Sequence, residues 1–131
     1  MKFGFLGALT ALAVTACAPT ETVTQYGGTA YDWKLTEIDG ATVNFDAQIA
    51  FEANGTVHGE GPCNGFSGKQ SKPYPWVEVQ IDFVEELYCS GIDNEEAFLT
   101  ALTEMTLIEV SGPNMVMSNE DTGRQMVFKG I

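Results

Sequence analysis

The chain has 131 residues, enough for one domain with its own core and too few for two. Eighteen Asp and Glu against six Lys and Arg give a formal charge of −12, which argues against nucleic acid or an anionic membrane surface as a partner, since both reward clustered basic residues. The acidic residues are scattered, and 44% hydrophobic content is that of a folded globular protein with a solvated acidic surface.

Met1-Lys2 supplies one positive charge, and Phe3 to Val14 is an uncharged, mostly apolar run, too short to span a bilayer and of the size of a signal-peptide core. It ends in Val14-Thr15-Ala16-Cys17, which resembles a bacterial lipobox with Val14 where Leu is commoner. The resemblance implies that residues 1–16 are removed and that Cys17 is lipidated on sulfur as the new N-terminus. The alternative is an ordinary secreted protein with a cysteine near its cut. Each buried methylene contributes ~0.8 kcal/mol, so several acyl chains would make a membrane anchor. Ala18 stands where lipoproteins retained at the inner membrane usually carry Asp, which implies the outer membrane, facing the periplasm. Loss of Lys2 takes the charge to −13. Residues 17–29 lack apolar periodicity and read as the lipidated N-terminus and a flexible tether of at most ~40 Å, with the folded domain over 30–131.

Tyr31 to Ile38 reads as a first strand closed by an Asp39-Gly40 turn. Gln48–Glu52 and Thr56–His58 flank Ala53-Asn54-Gly55. A three-residue loop with Gly55 in the left-handed position pairs Phe51 with Val57 and turns His58 to solvent. Gly59 to Gly68 then packs four glycines, Pro62, Asn64 and Cys63 into ten residues, which predicts turn backbone with φ > 0. Here Asn64 and Ser67 are expected to hydrogen-bond their own turn. Val77, Val79, Ile81 and Phe83 alternate with Glu78, Gln80 and Asp82 as a half-buried strand. Asp93 with Glu96 has the pattern of a capping box, and Phe98, Ala101, Leu102 and Met105 form one helical stripe behind it. Residues 106–110, 114–118 and 124–129 close the chain as three strands separated by turn residues. Many short antiparallel strands with one amphipathic helix give an α+β domain, a curled sheet or partial barrel packed by the helix.

With Cys17 lipidated, Cys63 and Cys89 remain as an even pair in an oxidising compartment. A bridge would close a 27-residue loop worth roughly 3–4 kcal/mol. Two buried thiols, or a redox pair, are the alternatives. The sequence has no Cys-x-x-Cys and no basic residue beside either cysteine to activate it.

These residues carry a family resemblance. Trp33-x-Leu35-x-x-Ile38-x-Gly40, Ile49-x-Phe51, Cys63-Asn64-x-Phe66-Ser67-Gly68, Cys89, Glu96-x-Phe98-Leu99-x-x-Leu102 and a hairpin ending at Phe128 together resemble the META domain of the HslJ-type family over about residues 29–131. Pro62, where glycine commonly precedes the cysteine, and Glu85, where threonine often stands, depart from its pattern. The resemblance implies a mostly antiparallel sheet domain found on envelope lipoproteins. It is loosely linked to heat shock, antibiotic tolerance and secretion or motility, and carries no established catalytic site.

The candidate sites are few. His58 is the only histidine, so neither a metal site nor a catalytic triad is expected, nor is a cofactor. Glu85 and Glu86, adjacent on extended backbone, point apart. Asn119 to Gly123 lacks the spacing of a calcium loop and reads as a hairpin turn. Cys63, Asn64, Phe66, Ser67 and Gly68 read as structural, with a polar binding site at Asn64 and Ser67 as the alternative. Tyr74 and Trp76, on either side of Pro75 in a segment that Pro73 also stiffens, are the candidate partner-binding surface, or else the cover of a sheet edge. The expectation is a monomeric, non-enzymatic envelope lipoprotein that binds or stabilises another envelope component. The alternative is an inhibitor that inserts the Lys69–Trp76 loop into an extracellular hydrolase.

Overall fold

The computed structural model describes residues 4, 7, 10–12 and 21–131. Cys17, the expected lipidation site, and the residues flanking it lie outside the described residues. The strands are β1 (Trp33–Ile38), β2 (Ala41–Thr42), β3 (Gln48–Phe51), β4 (Thr56–Glu60), β5 (Gly65–Lys69), β6 (Gln80–Val84), β7 (Leu107–Ser111), β8 (Asn114–Asn119) and β9 (Arg124–Gly130). One helix, α1 (Ile92–Glu104), joins β6 to β7. Eight strands form a strongly curled antiparallel half-barrel in the order β6-β5-β4-β3-β1-β9-β8-β7, and β2 pairs with the end of β1.

The alternation of apolar residues builds the core as expected. Trp33, Leu35, Ile49, Phe51, Val57, Met115, Met117, Met126 and Phe128 point inward from the sheet, and Phe98, Ala101, Leu102 and Met105 meet them from α1. Burying that many large side chains supplies the main stabilisation, at about 25 cal/mol per Å² of apolar surface removed from water. Phe51 faces Val57, Gly55 takes φ 90°, and His58 is exposed and pairs with Glu52 at 3.1 Å.

Four expectations need correction. None of Gly59, Gly61, Gly65 and Gly68 has positive φ; the Gly-rich stretch is mostly the hairpin β4–β5. Its glycines serve close approach, since a Cβ at Gly68 would collide with the Gln80 carbonyl of β6. The 77–83 strand is paired only over β6, where the register shifts between Ser67 and Gly68, so that Phe66 faces Val84 and Ser67 faces Phe83. The bulge reverses the alternation and leaves Phe83 60% exposed. The helix starts at Ile92 behind Gly91 without a side-chain cap, so Asp93 lies inside the first turn and no capping box forms. Finally, the folded body begins before residue 30. Val23–Tyr26 form a 3₁₀ turn capped by Thr22, Val23 is fully buried, and the Trp33 indole donates to the Gly28 carbonyl at 2.9 Å. A tether reading over 22–29 is therefore replaced by packed chain.

Residues 75–84 connect the two edges of the half-barrel. Pro75, Trp76 and Val77 are bonded to β7 through Ile108 N–H to Pro75 O (2.8 Å), Val77 N–H to Thr106 O (3.0 Å) and a Trp76–Leu107 bridge. Val77 and Val79 then enter the core, and β6 pairs with β5.

Candidate functional site

Three polar side chains are buried among the described residues: Asn64, Gln70 and Glu95. Burying an amide or a carboxylate is costly unless each polar atom finds a partner. Each of these does, and each holds a loop.

Glu95 stands one turn before Phe98 on the buried stripe of α1, so its side chain enters the domain beside the Gly61–Asn64 turn. Oε1 accepts from the backbone N–H of Cys63 (3.2 Å) and of Asn64 (2.5 Å), and Oε2 accepts from Asn64 Nδ2 (2.6 Å). A Cβ at Gly61 would come within 2.6 Å of Oε1, so only glycine leaves room for the carboxylate there. Asn64 passes the constraint on. Its Oδ1 accepts from Leu87 N–H at 2.8 Å and its Nδ2 donates to Leu87 O at 3.1 Å, so one side chain serves both backbone groups of a residue 23 positions away. This corrects the expectation that Asn64 caps its own turn. Among the described residues no hydrogen bond involves the Ser67 side chain, which stands half-buried on β5 opposite His58 and Phe83.

The covalent part of the clamp is the Cys63–Cys89 disulfide, with Cα atoms 5.9 Å apart. The bridge replaces the reading of two buried free thiols. Phe66 is buried and meets Phe98 edge to face at 5.8 Å. Glu85 also contributes an acceptor, taking the Gly65 N–H at 3.3 Å, so the departure from threonine at this position keeps a hydrogen bond. The clamped segment displays Leu87 and Tyr88, 63% and 89% exposed, and Phe83 on β6 just before it is 60% exposed. Asp82, Glu85 and Glu86 stand among them.

The second loop carries Tyr74 and Trp76. Gln70 Oε1 accepts from Lys72 N–H (3.1 Å) and Glu78 N–H (2.9 Å), and its Nε2 donates to Lys72 O (2.9 Å). Lys72 and Glu78 pair at 3.5 Å, and the Gln80 amide, followed by the Lys72 ammonium, holds the Glu78 carboxyl below its usual range. Tyr74 is half-buried: its ring stacks on Tyr26 at 4.2 Å and its hydroxyl accepts from Val110 N–H at 3.4 Å. Tyr26 donates to Glu21 at 2.7 Å, and that carboxylate raises the Tyr26 pKa above the usual phenol value. Trp76 is 55% exposed beside Leu107 at the edge. The two candidate partner-binding residues are thus unequal, since Tyr74 is committed to packing and only Trp76 presents its ring.

The sequence reading missed Glu95, Gln70 and the Phe83–Leu87–Tyr88 ridge. Glu95 had a signal, because it continues the 98/101/102/105 stripe one turn back onto the buried face. Gln70 had none. A shallow cleft of about 310 Å³ opens beside Gly61, lined by Lys34, Asp46, Gln48 and Glu60 among others, and its Lys34–Asp46 pair is 3.1 Å apart at the surface. Asn119 to Gly123 is a hairpin turn, with Asn119 Oδ1 accepting from Asp121 and Thr122 N–H.

The sequence model of the META domain family matches residues 28–130. No curated relative matches the sequence. Among solved structures, the chain is similar to a DUF4847 family protein from Bacteroides vulgatus (TM-score 0.63, 12% identity, covering 81% of this chain and 96% of that one). It is also similar to a protein from Burkholderia xenovorans (TM-score 0.63, 19% identity, covering 97% and 99%). At these identities the likeness is one of fold.

Proposed function

Because the chain belongs to the META domain family, we propose that it is a lipid-anchored cell-envelope protein whose domain is a non-catalytic binding module. The observation that carries this reading is the clamp. Glu95, the one buried carboxylate among the described residues, has both oxygens engaged by three donors, and with the Cys63–Cys89 bridge it fixes a loop whose apolar side chains point outward. A carboxylate so engaged serves structure, whereas an acid or base needs an oxygen within reach of substrate. A fixed backbone that exposes Phe83, Leu87 and Tyr88 lowers the ordering cost of an interface. The bridge also suits an oxidising envelope compartment, as does a leader over residues 1–16 followed by Cys17. By the same reasoning the domain stabilises or holds another envelope component, in the setting of stress tolerance that its family suggests.

Two measurements test this. Labelled palmitate should enter the wild-type protein and not Cys17→Ser, with the label in the outer-membrane fraction. Cross-linking in intact envelopes should capture a partner with the wild type and lose it with Phe83→Ser/Leu87→Ser/Tyr88→Ser. Unlabelled wild type would remove the anchor, and capture unaffected by the triple variant would remove the ridge. The disulfide-held Leu87–Tyr88 projection also supports a second reading, inhibition of an extracellular hydrolase, for which stoichiometric loss of hydrolase activity is the measurement.

A further inference from the structure

We propose that the β7 edge of the domain, with Tyr26, Tyr74 and Trp76, lies against the bilayer that holds the anchor. The proposal rests on the reading of Cys17 as lipidated and adds to it which face meets the lipid. Three residues separate Cys17 from Glu21, and extended backbone spans at most ~3.6 Å per residue, so the Glu21 Cα stays within ~14 Å of the Cys17 Cα. Glu21 is not loose: its carbonyl accepts from Tyr74 N–H at 2.7 Å, and its carboxylate accepts from Tyr26. Glu21, the described residue nearest to Cys17 on its C-terminal side, is therefore fixed at the Tyr26–Tyr74 stack. That stack adjoins Val110, and Trp76 adjoins Leu107, three residues or ~10 Å along the same strand. An acylated Cys17 sits at the headgroup boundary, and the headgroup layer is several ångströms deep, so the short link brings this edge to the lipid surface.

The side chains there suit that position. Trp76 is 55% and Tyr26 44% exposed, with phenol and indole groups at the rim of apolar rings, the residue types enriched where bilayer meets water. The acidity of the chain excludes the polybasic route to lipid, so contact would depend on the anchor and the rings and would not weaken at high salt, which only screens the repulsion between acidic domain and anionic lipid. Phe83 on β6 and Leu87 and Tyr88 in the loop behind it take no part in this contact and are left for a protein partner.

The two tryptophans make the test direct, because Trp33 is fully buried and serves as the internal reference for Trp76. Full-length acylated protein is placed in phosphatidylethanolamine–phosphatidylglycerol vesicles with and without acyl-chain bromine, and tryptophan emission is recorded for the wild type and Trp76→Phe. The expected result is that brominated lipid lowers wild-type emission to the level of Trp76→Phe, leaves that variant unchanged, and does so no less at high salt. Equal wild-type emission in both lipids, for protein that floats with the vesicles and carries the acyl mass on Cys17, overturns the face and leaves the anchor standing. Absence of the acyl mass overturns both. Protection of Trp76 in whole envelopes but not in pure lipid assigns the edge to a protein and overturns the bilayer contact.

Discussion

Two loops of this domain solve the same problem with different means. The 85–91 segment and the 71–78 segment both leave the β-ladder, both expose aromatic side chains, and both are held by one buried amide that bonds the N–H and the C=O of a single residue. Asn64 does this for Leu87 and Gln70 for Lys72. The first loop adds a buried carboxylate and a disulfide; the second adds a tyrosine stack and the neutral bonds to β7. A buried charge raises what is at stake, since removing any partner leaves charged or polar groups unpaired in a site water does not reach. A neutral amide leaves smaller deficits. The clamped loop should therefore fail as a unit, and the other should loosen by degrees.

The largest expected effect is at Glu95. Glu95→Ala strands the Cys63 and Asn64 N–H groups and the Asn64 amide, and should cost about 3–5 kcal/mol in urea unfolding. Glu95→Gln should recover less than half of that, because an amide places a donor where the turn already presents donors. Full recovery would mean that shape and not acceptor count holds the turn. Next comes the bridge: Cys89→Ser, or reduction of the wild type, should cost about 2–5 kcal/mol. An unchanged melting temperature on reduction would detach the disulfide from the clamp.

Gln70→Ala tests the other side of the comparison. It should cost about 1–3 kcal/mol, since three backbone groups lose a neutral partner and are close enough to solvent to regain water. A loss equal to that of Glu95→Ala would erase the distinction between the loops. The smallest effect lies outside both. Arg124, bonded to Asp39 and Glu104, and then the Gln125 N–H, hold the Asp39 carboxyl below its usual range. Its folded pKa is depressed, so its contribution is present above the unfolded value near 3.9 and disappears as pH falls through the lower folded value. As a surface pair it is worth under about 1 kcal/mol. Asp39→Asn should flatten the stability profile in that acid window alone, which unfolding at stepped pH would register.

Much of the frame was legible in the sequence. Period-two runs and the 98/101/102/105 stripe report burial directly, and the Phe51–Val57 register followed from pairing apolar with apolar across a glycine loop. The clamp was legible only in part. Cys63, Asn64 and Cys89 stand out by type, but Asn64 spends its side chain on Leu87, a contact across 23 residues that no local pattern encodes. A capping box was the natural reading of Asp93 and Glu96, and it drew attention from Glu95, whose position on the apolar stripe was the better clue. The strand over 77–83 misled for another reason: a bulge opposite Ser67 and Gly68 reverses the alternation, and bulges depend on the partner strand.

The clamp's hold on the exposed ridge is tested most directly by amide hydrogen exchange at Leu87. Its side chain is 63% exposed and it lies in a loop, so without Asn64 its N–H would exchange as fast as any surface turn. The expected result is protection at Leu87 close to that of the β8–β9 amides in the wild type, falling to loop level in Asn64→Ala while β8–β9 stay protected. Fast exchange of Leu87 in the wild type would contradict the account, leaving the ridge on a mobile loop and the clamp without a function.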